Sequence, residues 1–416
     1  MMSQEDNLAL AQVGRGTPAG ELLRRYWQPI AAASELTDSQ PVKKLRILGE
    51  DLVLFRTCPA DAATPVQFGL VGENCSHRSV SLAFGRAEAH GLRCPYHGWV
   101  FGPTGKCLET PAEPADSTLK ERIRHVGYSV QKLGGLLFAY LGPAPAPLLP
   151  RWDVLAREDG WRWGVIESVM KCNWLQPMEN SVDPNHLYWL HGYFGANKNA
   201  ASKERFAAIG LHAEFNERNE FIPFEFGIQK RRITPGKNPG DPERSEQHPL
   251  VFPTALRLVT RVPNVEAQGY EGVKRFTEED RQRGWMHNMQ FRMPIDDFHT
   301  RVFHVYFMPS KTTRTTQDDE VIFEDCALKD ELGNYNFRVV TAQDAMAWET
   351  QGALTDRERE NLGHSDRGVV IFRRMLREQI EIVKQGGDPL GLIRDPAKNT
   401  PDLCVHHEVH GVPRGA

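Results

Sequence analysis

Two cysteines and two histidines stand in mixed pairs, Cys75-Ser-His77 and Cys94-Pro-Tyr-His97, with 16 residues between the pairs. Thiolate and imidazole both bind metals, and two such pairs on facing hairpin tips would converge on one site. That donor set suits a structural zinc. It also suits a [2Fe–2S] cluster in which one iron keeps two thiolates and the other takes two imidazoles. Neutral imidazole in place of anionic thiolate makes the cluster easier to reduce, moving its potential from about −400 mV to about −150 to +300 mV. Zinc fingers usually carry their Cys pairs and His pairs separately, so the mixing favours the cluster. Gly72, Gly85, Gly91, Gly98 and Gly102 are expected to let backbone amides approach the sulfurs, with Pro95 and Trp99 as cover.

A second motif follows about 100 residues later: Asn180-x-x-Asp183-x-x-His186-x4-His191. On a helix running from about Trp174 to about Leu190, Asp183, His186 and His191 are expected to project from one side. Two histidines and a carboxylate that leave coordination positions open form the facial arrangement of non-haem Fe(II) oxygenases. His287, His299 and His304 are the plainer histidines, read as hydrogen-bonded residues of strands or turns.

The elements that must position these groups are of two kinds. Thr17-Pro18 reads as a helix cap followed by proline at the first helical position, with the helix continuing to Trp27, so residues 1–40 are expected to be a helical segment. From 41 to 145 the pattern is short strands broken by Gly and Pro, with Gly49-Glu50-Asp51 as a hairpin turn. Pro143, Pro145, Pro147 and Pro150 mark a linker, and residues 146–416 form the second unit. There, 197–250 reads as loops with weak strands. Residues 255–262, 284–293 and 300–308 read as strands, the last two a hairpin turning at Pro294-Ile295-Asp296-Asp297. A long helix follows Ser365 or Asp366, buries Val369, Phe372, Leu376, Ile380 and Val383, and ends at Gly386.

Composition narrows the function. With 50 basic and 54 acidic residues the chain is near neutral, which argues against a nucleic-acid surface. No apolar run is long enough for a membrane span, and the first residues lack an apolar signal core, so a cytoplasmic protein is expected. The odd count of seven cysteines fits reduced thiols. No Gly-rich dinucleotide fingerprint follows a strand, so NAD(P)H and flavin must bind a separate reductase.

The stretch CSHR…CPYHGWVFGPTGKC resembles the Rieske domain of ring-hydroxylating oxygenases, and the Asn180–His191 motif resembles their iron-binding helix. RGTPAGELLRRYWQP, MPIDDFHT and TDRERENLGHSDRGVVIFRRML are similar to the phthalate-dioxygenase-like branch, whose oxygenases have large subunits only. The resemblance implies an α+β fold, a small all-β Rieske domain followed by a helix-grip catalytic domain with a central antiparallel sheet. It implies a [2Fe–2S] cluster on Cys75, His77, Cys94 and His97, and a mononuclear Fe(II) on His186 and His191. In TAQDAMAWETQG, Asp344 resembles the aspartate that completes this iron site, with Asp356, Asp366 and Glu349 as competitors. Asn180 is implied as a neighbour of the iron ligands. Head-to-tail homotrimers, single or stacked as hexamers, are implied too, with Asp183 linking His186 to His97 of the next copy. The activity implied is hydroxylation of an aromatic substrate with O2 and electrons from a flavin- or ferredoxin-type reductase. Two alternatives stand beside it, an O- or N-demethylating monooxygenase and an electron-transfer Rieske protein without substrate chemistry. An aromatic acid is the leading substrate, with Arg231, Arg232, Arg257, Arg261, Arg275 and Arg292 as candidates to hold its carboxylate.

Overall fold

The computed structural model describes residues 2–59, 61, 63–194, 218–234, 244–311, 321–401 and 403. Helix α1 (Gln4–Ala11) leads to α2 (Pro18–Leu23), whose Thr17 cap accepts from the Gly20 amide as the sequence suggests. The helix stops there. Trp27, expected within it, opens strand β1 (Trp27–Ala32), so the helical reading of 1–40 holds only to Leu23. Every residue of β1 is buried, because β1 is an integral strand of the first sheet.

That sheet continues with the hairpin β2 (Val42–Ile47) and β3 (Glu50–Arg56) and with β4 (Phe68–Gly72). Leu48 and Gly49, at φ of 48° and 78°, form the two-residue turn of the hairpin, a geometry that matches the twist of paired strands. Four very short strands follow as a separate sheet: β5 (Arg86–Ala87), β6 (Leu92–Arg93), β7 (Val100–Phe101) and β8 (Cys107–Glu109). Strands β9 (Gly127–Leu133) and β10 (Leu136–Tyr140) return to the larger sheet, whose order is β1-β10-β9-β4-β3-β2.

The second unit is an eight-stranded sheet flanked by helices. Its first strand is β11 (Gly160–Glu167). Helix α3 (Leu175–Ser181) and the wider α4 (Leu187–Phe194) come next. Strands β12 (Arg218–Phe224), β13 (Gly227–Thr234) and β14 (Arg244–Val251) are regular antiparallel strands where the sequence suggested loops with weak strands. Charged residues on both faces, such as Arg231 and Arg232, hide their alternation. Strands β15 (Ala255–Arg261), β16 (Trp285–Asp296), β17 (His299–Pro309) and β18 (Ile322–Cys326) complete the order β12-β13-β14-β15-β16-β17-β11-β18. Only β11 and β18 pair in parallel. The β16–β17 turn lies at Asp297-Phe298, later than expected, because a bulge lets the strand continue past Pro294. Helix α5 (Val340–Glu349) covers one face, and α6 (Arg367–Lys384) buries the five residues anticipated for it.

Side chains alternate across β16 and β17. Met289, Phe291, Phe303, Val305 and Phe307 join a core that runs on into the first unit, where Phe291 meets Phe138 edge-to-face at 5.8 Å. Asn288, Gln290, Arg292, His304 and Tyr306 face the other way, toward a cavity. The Leu48 and Gly49 amides donate to the carbonyls of Pro294 and Ile295, which ties the two units together.

Candidate metal centres

The two Cys/His loops are copies of one turn. The Cys75 amide donates to Val80 O and its carbonyl accepts from Ser79, at 2.9 and 2.8 Å; Cys94 does the same with Trp99 and Gly98, at 2.8 and 3.1 Å. Both closing residues are left-handed, Ser79 at 59° and Gly98 at 73°, the conformation that reverses the chain. The thiols of Cys75 and Cys94 lie within hydrogen-bonding reach, and burial pushes the Cys75 thiol up to about 11. The rings of His77 and His97 meet edge-to-face at 4.6 Å and 68°. Trp99 stacks on His77 at 4.6 Å and 7°, as a cover; Pro95 is exposed.

This donor set fits an iron–sulfur cluster with mixed ligands. His97 Nδ1 is buried without a partner among the described residues, as a metal-binding nitrogen would be. The amides that reach the Cys75 sulfur belong to His77 and Arg78 rather than to glycines. Gly85 and Gly91 serve a different purpose. A Cβ there would meet the carbonyls of Arg93 and Phe101 at 2.8 and 2.4 Å, so they allow close packing of the short strands.

The second cluster comes from α3, α4 and α5. The helix expected to run unbroken from Trp174 is interrupted at Val182–Asp183–Pro184, and α4 then winds as a π-helix through Gly192 to Phe194. In an α-helix, residues five apart point about 140° away from each other. The wider winding shortens that angle, and π-turns recur at functional sites. His191 Nε2 lies 3.2 Å and His186 Nε2 3.9 Å from Asp344 Oδ1. One ligand atom from each of the three falls within 4.8 Å of the others. Two imidazoles and one carboxylate that open onto a cavity suit non-haem Fe(II).

Neighbours fix these groups. Gln343 Oε1 lies 3.0 Å from His191 Nδ1, which leaves Nε2 free to face Asp344. Asn180 Nδ2 stands 3.3 Å from His186 Nε2 and 3.4 Å from Asp344 Oδ1. Burial pushes His191 down, but Asp344 outweighs it and the net direction is up. Burial likewise opposes ionisation of Asp344, and the two histidines and Arg292 bring it below the usual carboxylate range. Asp183 Oδ2 lies 3.6 Å from His186 Nδ1, its carboxyl is also lowered, and its Oδ1 accepts from the Asn185 amide at 2.7 Å.

The competing carboxylates are elsewhere. Glu349 binds Lys329, Tyr335 and the Lys171 amide; Asp366 accepts from Gly363; Asp356 is exposed. Among the plainer histidines, His299 pairs with Asp296 and His304 with Glu167, while His287 meets Arg257. Sequence reasoning missed the support beneath the site. Glu179, beside Asn180, accepts from Arg357 at 2.7 Å and Arg373 at 2.6 Å, which pins α3 to α6. It also missed Gln343 and Lys230. Burial pushes Lys230 down to about 7 and Arg292 down to about 10. Both line the cavity of about 220 Å³ beside the three ligands, where Arg292 donates to Gln290 Oε1 at 2.7 Å; among the described residues no carboxylate lies within ion-pair distance of either. Of the other arginines, Arg231 pairs with Glu220, Arg232 with Glu246 and Arg257 with Asp153, Arg275 lies over Trp161, and Arg261 reaches the cavity rim.

Comparison with known proteins agrees with this geometry. Residues 26–129 match the Rieske [2Fe-2S] domain family, and residues 311–411 match the family described as LigXa C-terminal domain like. The chain is 36% identical over 408 residues to the 5,5'-dehydrodivanillate O-demethylase oxygenase subunit of Sphingobium sp., covering 96% of this chain and 85% of that protein. It is 32% identical to the phenoxybenzoate dioxygenase subunit alpha of Ectopseudomonas oleovorans, over 92% of this chain and 87% of the relative. Among solved structures, that of Pseudomonas putida CBB5 NdmA with caffeine superposes with a TM-score of 0.62, covering 92% of this chain and all of that one (100%), at 19% identity.

Proposed function

This chain belongs to the Rieske non-haem iron oxygenases, as the large terminal-oxygenase subunit, and from that premise we propose which of its residues carry the activity and what it oxidises. It is an oxidoreductase that uses O2 and electrons from a separate reductase or ferredoxin, with a Rieske cluster and a mononuclear non-haem iron as cofactors. We assign the cluster to Cys75, His77, Cys94 and His97, and the mononuclear iron to His186, His191 and Asp344. When bound, the cluster supplies single electrons and the mononuclear iron supplies the place where dioxygen and substrate react.

The protein's own groups do the rest. Gln343 holds His191 with its Nε2 lone pair inward, and Asn180 holds His186 and Asp344 in register. Asp183 Oδ2, 3.6 Å from His186 Nδ1, is placed to accept from that imidazole and from an imidazole of a second copy. A head-to-tail trimer, in which His97 of one copy meets Asp183 of the next, is supported by exposed aromatic residues at both ends. Phe84 (80% exposed) and Tyr96 flank the Cys/His loops, while Trp189 and Tyr193 flank the histidine helix. Apolar surface of that kind marks an interface.

The substrate is an aromatic acid. The observation that carries this reading is the pair of buried cations, Lys230 and Arg292, in a cavity whose mixed polar and apolar wall also includes Leu256, Leu258, Val265 and Tyr306. Unpaired buried charge is costly, and a substrate carboxylate would complete it. O-demethylation of a methoxyarene is the second reading, favoured by the greater identity to an O-demethylase. A screen of benzoates, methoxybenzoates and phenoxybenzoates with NADH and a surrogate reductase, read by mass spectrometry, separates the outcomes. Ring hydroxylation yields a diol or phenol, demethylation releases formaldehyde, and turnover of neutral arenes in preference to their acids would contradict the carboxylate reading.

A further inference from the structure

His304 and Glu167 form a pair that the metal chemistry leaves unused. Their side chains are 1% and 0% exposed, and His304 Nε2 lies 2.9 Å from Glu167 Oε1. The other ring nitrogen, Nδ1, is buried and has no hydrogen-bond partner among the described residues. The ring is part of the cavity wall that also holds Asp344, Arg292 and Tyr306. Val165 on β11 and Gln290 on β16 stand directly opposite His304 in the sheet, and the Tyr306 ring runs nearly parallel to the imidazole at 6.0 Å.

The chemistry of the pair is directional. A carboxylate is an acceptor only, so Nε2 carries the proton that it donates to Glu167. With the ring neutral, Nδ1 is then left as a lone pair, an acceptor. A buried, unsatisfied acceptor in the wall of the cavity favours a ligand that brings an O–H to it and disfavours an analogue that does not. On an aromatic ring, the group that supplies such a donor is a phenolic hydroxyl.

We propose that His304, oriented by Glu167, is a specificity-determining contact that accepts a hydrogen bond from a hydroxyl group on the aromatic substrate. This rests on the reading of the cavity as the site of an aromatic acid and narrows it to hydroxylated aromatic acids. The test is anaerobic calorimetric titration of the iron-loaded holoenzyme with 4-hydroxy-3-methoxybenzoate and with 3-methoxybenzoate, which differ only in the hydroxyl. The wild type should bind the first at least about ten-fold more tightly. In His304→Phe the ratio should fall to about one. Because that change strands the Glu167 charge, the double variant Glu167→Leu with His304→Phe removes both partners and should give the same ratio near one. If 3-methoxybenzoate binds but the hydroxyl adds nothing in the wild type, or if the preference survives in both variants, the assignment of His304 is overturned. If neither probe binds the wild type, the aromatic-acid reading falls with it.

Discussion

The Cys/His loops draw four donors from residues 75–97, whereas the His/His/Asp cluster joins residues 186 and 344. In the first region each Cys/His pair is set by its own turn, and the two turns share the same backbone bonds. In the second, nothing local brings Asp344 to the histidines. The buried Glu179–Arg357–Arg373 network and the Gln176 amide, which donates to Trp348 and Gly352, hold α3 against its neighbours. A site made of turns should tolerate damage at a distance, and a site made of packed helices should not.

Four changes would break or sharpen that contrast. The largest effect is expected from Cys94→Ala, which should remove the cluster and all turnover yet leave the second site intact, so iron falls from about three to about one per chain. Asp344→Ala should do the converse, keeping the Rieske-type EPR signal while mononuclear iron is lost and turnover drops at least about 100-fold. Arg357→Leu leaves the buried Glu179 carboxylate with Arg373 alone and should cost about 1–3 kcal/mol of stability, read as a lowered unfolding midpoint. Mononuclear iron should be lost in that variant before the cluster is; equal loss would erase the distinction drawn here.

The smallest effect concerns Lys230. With its amine pushed down to about 7, it is charged below that pH and neutral above it. Affinity for a carboxylated substrate should therefore weaken several-fold as pH rises through 7, and Lys230→Met should flatten the profile, as measured by titration across pH 6–8.5. Stability moves the other way. The unfolded chain keeps this proton up to about 10.4, so between about 7 and 10.4 the unfolded state binds more protons and folding gains as pH rises.

The same contrast explains what the sequence made legible. Cys75, His77, Cys94 and His97 could be found because mixed pairs at short spacing are rare and local. His186 and His191 were visible as a pair, but the reason they converge was not: an α-helix would separate them, and the π winding after Pro184 is a tertiary outcome. Asp344 was legible only through resemblance, since Asp356, Asp366 and Glu349 offer the same carboxylate. Strands β12 to β14 were hidden because charge sits on both faces of β13, Arg231 beside Glu220 on one and Arg232 beside Glu246 on the other, which blurs its alternation. Trp27 carried no signal that would place it in a strand; β1 is fixed by pairing with β10, more than 100 residues away.

The central claim is that Asp183 connects the cluster of one copy to the iron of the next. The direct test is a single turnover of Asp183→Asn, in which a pre-reduced cluster is mixed with O2 and substrate and its reoxidation is followed by absorbance. Cluster and iron content should match the wild type while reoxidation slows by about 10–100-fold. Reoxidation at the wild-type rate with both metals in place would contradict the account.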